Sequence, residues 1–235
     1  MAYKHLNWDS DFFGKKIYQI DSFAEITDHE WEAVIKEQPD LIYCVIEDPS
    51  LKTIEILEQR GAVLYDKKVK YFKQEFTQSP VKGNDLHCES TSTLTDDLEA
   101  MAYQSGSFSR FNLDPRLSGK FKALYKEWIV ASLNRRLADE VLLAKDNEGN
   151  NVGFITLSVK DGTGNIGLIA VNEHFRGRGG GRFLMQQADN FFLEKQASGA
   201  TVVTQYDNIP ACRLYEKMGY TIIKNESIFH YYLKK

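Results

Sequence analysis

The sequence predicts an α/β (α+β) protein. Two observations carry that prediction. Runs rich in apolar and β-branched residues alternate with runs of helical spacing along the chain. An apolar run from Ile166 to Val171 then leads through Arg176-Gly177-Arg178-Gly179-Gly180-Gly181-Arg182 into a helix-like run from Phe183 to Lys195. Strand, glycine loop, helix is the plan of an anion-holding turn. Glycine lets backbone approach a ligand, and the free N–H groups and dipole of the helix start favour negative charge. The loop is expected to hold phosphate. G-x-G-x-x-G fails in both frames, because Arg182 or Leu184 stands where the last glycine is needed. No G-K-[ST] follows, so the P-loop reading fails too.

The elements follow in order. Trp8-Asp9-Ser10-Asp11-Phe12-Phe13-Gly14 reads as a turn that packs two aromatic rings on the core. Asp28 to Lys36 reads as a short helix and Leu41 to Glu47 as an apolar strand. Asp48-Pro49 breaks that strand and opens a helix with Leu51, Ile54 and Leu57 at helical spacing, capped by Gly61. Ala62 to Tyr65 and Val69 to Phe76 read as a β-hairpin. Gln78 to Ser92 is polar, with Pro80 and Gly83-Asn84, and reads as the domain boundary. Thr95 caps a helix to Gln104, and Ser105 to Gly119 reads as irregular. Phe121, Leu124, Tyr125, Trp128 and Ile129 mark an amphipathic helix. Glu140 to Lys145 and Asn151 to Val159 form a hairpin. In its second arm Ile155, Leu157 and Val159 face one way while Phe154, Thr156 and Ser158 face the other. The helix after the glycine loop ends at a capping Gly199. Ala200 to Tyr206 is a strand, Asp207-Asn208-Ile209-Pro210 opens the last helix, and two short strands from Tyr220 to Leu233 close the sheet.

The end of the chain echoes its beginning. Leu57-Glu58-Gln59-Arg60-Gly61 matches Tyr215-Glu216-Lys217-Met218-Gly219 in kind and setting, which suggests a repeated strand–helix–strand–strand half. The first half lacks the glycine loop and has Leu57 in place of Tyr215, so one half reads as structural and the other as chemical.

Composition narrows the function. With 43% apolar and 26% charged residues a packed core is expected. The net charge of −4 argues against a nucleic-acid binder and makes the basic cluster at 176–182 a local site. Cys44, Cys88 and Cys212 form no zinc or disulfide pattern, so no metal is expected and a reducing compartment fits. The N-terminus is too polar for a signal peptide, and no apolar run approaches the roughly 20 residues of a membrane span. A cytoplasmic protein with a small-molecule substrate is expected.

Asn208, Ala211 and Tyr215 fall on one face of the last helix, with a small residue between an amide and a phenol. A flexible ligand arm could lie there, with Leu214 and Met218 turned to the core. Together, Arg176-x-x-Gly179-x-Gly181 and Asn208-x-x-Ala211-x-x-Leu214-Tyr215-Glu216-Lys217-x-Gly219-Tyr220 resemble the GCN5-related N-acetyltransferases (GNAT) over residues 93–235. The resemblance implies the GNAT fold, a mixed central sheet flanked by helices, and acetyl-CoA as cosubstrate. It implies that Arg176 and the backbone of Arg178, Gly179, Gly180, Gly181 and Arg182 hold the pyrophosphate. Leu168, Ile169, Ala170 and Val171 would pair with the pantetheine arm, Asn208 and Ala211 would line it, and Tyr215 would protonate the departing thiolate. Glu173 stands where the family often has proline.

A narrower resemblance covers nearly the whole chain. Trp8-Asp9-x-x-Phe12-Phe13-Gly14, Ser109-Arg110-Phe111 and Tyr125-x-x-Trp128-Ile129 are similar to bacterial acetyltransferases of dTDP-linked 4-amino-4,6-dideoxy-galactose (dTDP-fucosamine). It implies a partial GNAT-like half-domain over 1–80 before an acetyl-CoA-binding domain over 93–235. It also places Phe12, Phe13, Arg110 and Phe111 near an amino-sugar nucleotide, and leaves a homodimer open. Glu173, His174, Asp207 and His230 are the candidate general bases, with water as the alternative. The rival functions are acetylation of a protein N-terminus or other small amine, and a non-catalytic coenzyme A-binding module.

Overall fold

The computed structural model describes residues 3–23, 26–78 and 85–233. Among the described residues, ten strands form one mixed, mostly antiparallel sheet flanked by helices. The N-terminal part contributes β1 (Tyr3–His5), α1 (Asn7–Phe13), β2 (Ile17–Phe23), α2 (Asp28–Lys36), β3 (Leu41–Glu47), α3 (Leu51–Gln59) and β4 (Val63–Lys73). The rest contributes β5 (Leu86–Ser90), α4 (Asp96–Ser105), α5 (Arg110–Leu113), α6 (Phe121–Leu133), β6 (Glu140–Asp146) and β7 (Asn151–Lys160). It continues with β8 (Thr163–Val171), α7 (Gly180–Glu194), β9 (Ala200–Gln205), α8 (Ile209–Lys217) and β10 (Thr221–Tyr232).

The strand order is β1-β2-β3-β10-β4-β9-β8-β7-β6-β5. Its centre is an exchange. β2 runs parallel to β3, and β8 runs parallel to β9. After β3, the chain passes through α3 and places β4 antiparallel against β9. After β9, it passes through α8 and places β10 antiparallel against β3. β4 and β10 pair with each other. Each of the two matching stretches is strand–helix–strand, not the expected strand–helix–strand–strand, and the last strand of each completes the sheet of the other. Neither 62–76 nor 220–233 is a hairpin: each is one long strand, with irregular register where two hairpin arms were expected.

Periodicity explains the layers. β3 is buried on both faces, so it reads as a continuous apolar run. Leu41, Tyr43 and Val45 face Phe13, Phe111 and Tyr125, while Ile42, Cys44 and Ile46 face Val34 and Leu57. In β7 the expected alternation holds. Ile155 and Leu157 pack on Leu184, Ala188 and Phe192 of α7, and Phe154 packs on Leu98, Met101 and Ile129 of α4 and α6.

Three local readings change. Trp8–Phe13 is helix α1, closed by Gly14 in the left-handed region. Leu86–Ser90 is a strand paired with β6; its alternating polar residues hid it inside the polar boundary, of which 79–84 lies outside the described residues. Gly199 does not cap α7, which ends at Glu194. A Cβ there would lie 2.4 Å from Phe72 Cζ, so glycine serves the close approach of β4.

Loop 105–118 is pinned to the sheet through a buried carboxylate. Asp114 Oδ2 accepts hydrogen bonds at 2.6 Å from His230 Nδ1 and at 2.6 Å from the Tyr232 hydroxyl. Burial raises the Asp114 carboxyl, but these bonds outweigh it and hold the group below its ordinary range. Burial pushes the His230 imidazole down from 6.5 to about 4, against the pull of Asp114. The unfolded chain therefore takes up the histidine proton first. The stabilisation is complete above pH 6.5 and is lost as pH falls from 6.5 towards 4. At pH 7.5, His230→Gln should unfold well below the wild type. The Tm gap should shrink by pH 4.5, on a scale of about 3 kcal/mol. Thermal melts across that range check it, and a gap independent of pH would contradict it.

Candidate active site

β8 and β9 pair only over 164–166 and 200–202, after which no ladder joins them. Between them opens a cavity of about 1070 Å³. One wall of it is the edge of β8 from Gly167 to Val171. That edge is aimed by a bulge: Ile155 opposes Ile169 while Leu157 opposes Ile166. The Leu168 N–H donates to Thr156 Oγ1 at 2.7 Å, and a Cβ on Gly167 would lie 2.8 Å from that oxygen. Val203, Thr204 and Gln205 of β9 face it across the opening.

The glycine loop joins this wall. Arg176, Gly177, Gly179, Gly180, Gly181 and Arg182 all line the cavity. Gly179 takes φ +88° as the N-cap of α7, a conformation that suits glycine alone at low cost. A Cβ on Gly181 would lie 3.1 Å from Leu214 Cδ2, and one on Gly180 3.0 Å from Val152 Cγ1. The loop is thus packed down on α8 and β7, with the N–H groups of the first turn of α7 without helical partners. Arg176 bonds Val171 O and Gln104 Oε1, both at 3.3 Å. These features fit a cradle for a pyrophosphate with a chain-like arm beside it. Arg178 does not line the cavity; its guanidinium sits over the Phe175 ring at 5.8 Å.

Asn208, Ala211 and Tyr215 are brought together on the cavity, as their spacing predicts. Asn208 also caps α8: its Oδ1 accepts from the Ala211 N–H at 3.4 Å, and its amide donates to Thr204 Oγ1 at 3.2 Å. Leu214, expected in the core, lines the cavity as well. Tyr215 is 2% exposed, and burial pushes its phenol above the ordinary value. Its ring meets Tyr71 of β4 edge-on at 5.6 Å, a support that sequence reading missed because β4 arrives from the other half.

A second set of lining residues comes from the N-terminal part and loop 105–118. Arg110 and Phe111 line the cavity, as expected. Arg110 lies over Tyr43 at 4.8 Å and Phe111 at 4.3 Å. Phe12 and Phe13 do not line it. Phe13 is buried and stacks on Phe111 at 5.8 Å, and Phe12 stacks on Trp8 at 5.0 Å, so both sit behind rings that do. From α1 it is Trp8 and Asp9 that reach the cavity. Of the candidate bases, Glu173, His174 and Asp207 are exposed and stand off the cavity, and His230 is sealed against Asp114. Two carboxylates line it near Arg110: Asp9 of α1, and Asp66 of β4, which is 4% exposed. In the sequence Asp66 looked like one polar residue in a hairpin turn.

Residues 103–220 match the model of the acetyltransferase (GNAT) family. The spore coat polysaccharide biosynthesis protein SpsD of Bacillus subtilis (strain 168) is 23% identical over 258 residues, covering 99% of this chain and 82% of that protein. Streptothricin acetyltransferase of Escherichia coli is 38% identical over 72 residues, 30% of this chain and 41% of that protein. The crystal structure of a GCN5-related N-acetyltransferase from Sphaerobacter thermophilus superposes with a TM-score of 0.60 at 14% identity, covering 99% of this chain and 76% of that one. No helix among the described residues is long and apolar enough to cross a membrane. The family match runs through the glycine loop to the face carrying Tyr215: the chain belongs to the GNAT family and is an acetyl-CoA-dependent acetyltransferase.

Proposed function

We propose that this chain acetylates a primary amine, namely the 4-amino group of a nucleotide-linked amino-dideoxy sugar. The observation that carries the reading is one cavity lined both by the glycine loop and Tyr215 and by Trp8, Phe108, Arg110, Phe111 and Trp128. Flat rings with a guanidinium among them suit the sugar and base of a nucleotide sugar and its phosphate charge. The similarity to a polysaccharide biosynthesis protein across 99% of the chain supports a sugar acceptor. The three cysteines are free, which suits a cytoplasmic enzyme.

Acetyl-CoA, when bound, supplies an activated acyl thioester. Arg176 and the N–H groups of Gly179 to Arg182 would hold its pyrophosphate, and the edge Leu168 to Val171 would pair with its arm beside Asn208 and Ala211. A backbone N–H near Val171 polarises the thioester carbonyl. Tyr215 gives its proton to the departing sulfur. Trp8, Arg110 and Phe111 position the acceptor, braced by Phe12 and Phe13. Streptothricin acetyltransferase supports a second reading, a small-molecule amine other than a nucleotide sugar. Thiol release from acetyl-CoA, measured against dTDP-linked 4-amino sugars, amino-terminal peptides and polyamines, separates the readings. Turnover with peptides or polyamines alone would refute the sugar acceptor.

A further inference from the structure

Asp66 has the placement of a group that meets a ligand. It lines the cavity, and its Oδ1 is buried with no hydrogen-bond partner among the described residues. Its other oxygen lies 3.8 Å from Arg110 Nη1, longer than a charge-assisted bond of about 2.8 Å. Arg110 is held by the rings of Tyr43 and Phe111 and leaves its own Nε unpartnered, so it does not close on the carboxylate. A structural ion pair at this depth would be short and fully bonded. This one leaves an acceptor oxygen open. The register break in β10 between Ile228 and Phe229 sets Asp66 opposite Ile228 and Leu64 opposite Phe229, so an extra residue of β4, Tyr65, stands between them. Such a break re-aims side chains next to a site.

The charges around it favour a cation. Asp66 and Asp9 share Arg110, and Lys68, which also lines the cavity, is engaged by Glu226 at 3.1 Å. Tyr125 faces Asp66 from α6 and Tyr43 faces Arg110 from β3. β9 offers Gln205, uncharged, whose side chain hydrogen-bonds the Asp66 carboxylate as the Arg110 backbone N–H does, and β10 offers the apolar Ile228. We infer that Asp66 is the general base of the acetyl transfer, taking the proton of the acceptor ammonium on Oδ1.

The inference rests on the proposed amine acceptor and adds the residue that activates it. One proton of the ammonium passes to Asp66 Oδ1 and on to solvent. The freed lone pair forms the N–C bond as the C–S bond breaks. A second nitrogen proton leaves for solvent, and one returns to the Tyr215 phenolate that has protonated the sulfur. One proton is released per turnover, and no oxidant or reductant is needed. Burial raises the Asp66 carboxyl above its ordinary value, with Arg110 and Lys68 pulling it back, the direction that makes a carboxylate a better base.

The test uses the full chain, acetyl-CoA and a dTDP-linked 4-amino-4,6-dideoxy-galactose. Asp66→Asn should lower kcat at pH 7 by about 10²–10³-fold. Its log kcat should climb with unit slope over about pH 6 to 9, following the amine's own ionisation. Acetyl-CoA affinity by calorimetry should stay within about threefold, which shows an intact fold. A kcat within about threefold of wild type, or an equal loss at every pH, would overturn the inference while leaving the acetyl transfer standing. If Asp66→Asn does not fold, Asp66→Glu decides: a displaced acid limb supports the base, an unmoved one refutes it. A wild-type chain that binds acetyl-CoA and acetylates no amine overturns the proposed reaction itself.

Discussion

Tyr215→Phe should lower kcat by about 10²–10³-fold while leaving acetyl-CoA affinity within about threefold. The substitution removes one oxygen from a ring that keeps its packing against Tyr71 and Tyr220. Burial raises the Tyr215 phenol, which alone would make it a poorer acid. The same low dielectric destabilises the departing thiolate, so the proton moves between two groups that both resist charge. In the proposed reaction the phenol provides a proton in place when the C–S bond breaks, an effect on the transition state and not on binding. Rapid-quench turnover and calorimetry on the same preparation read the two quantities separately. Affinity falling in step with turnover would make Tyr215 a packing residue.

A chain lacking residues 1–78 should neither fold cooperatively nor bind acetyl-CoA, although the family match begins only at residue 103. β4 lies between β10 and β9, so its removal strips both strands of a partner. Val69 and Tyr71 leave the core that holds Leu184, Phe192 and Tyr215. Lys73 leaves Asp189, its partner at 2.6 Å, on a carboxylate 3% exposed. Stranding one member of a buried pair costs about 3–5 kcal/mol, a large share of a domain's stability. Near-UV circular dichroism and calorimetry should show no fixed tertiary structure and no binding. Co-expression with residues 1–78 should restore both. Native-like affinity in the truncated chain would show that the two parts fold independently.

Much of this was legible in the residues because periods and special positions are local signals. The apolar run of β3, the alternation of β7 and the Asn208–Tyr215 face each follow from spacing within one element. So does the glycine loop, where only glycine accepts φ +88° at residue 179. What stayed hidden depends on partners distant in sequence. Nothing around Val63–Lys73 says that its neighbours in the sheet are residues 200–205 and 221–230. The hairpin reading followed, since adjacent strands most often pair. Asp66 was missed for the same reason: it becomes a cavity carboxylate only once β4 has crossed to the other half. Trp8 reaches the cavity in place of Phe12 and Phe13 because α1 is a helix: Phe12, one turn on, stacks behind Trp8, and Phe13 packs inward on Phe111.

The exchange of β4 and β10 also sets a clock on the newborn chain. β10 is made after every other described strand, and it belongs between β3 and β4. Until it leaves the ribosome, both strands keep a raw edge of unpaired backbone, the feature that invites association with other chains. At a synthesis rate of about 5–20 residues per second, the chain spends roughly ten seconds or longer carrying those edges after β4 emerges. The first half cannot serve as a finished template for the second.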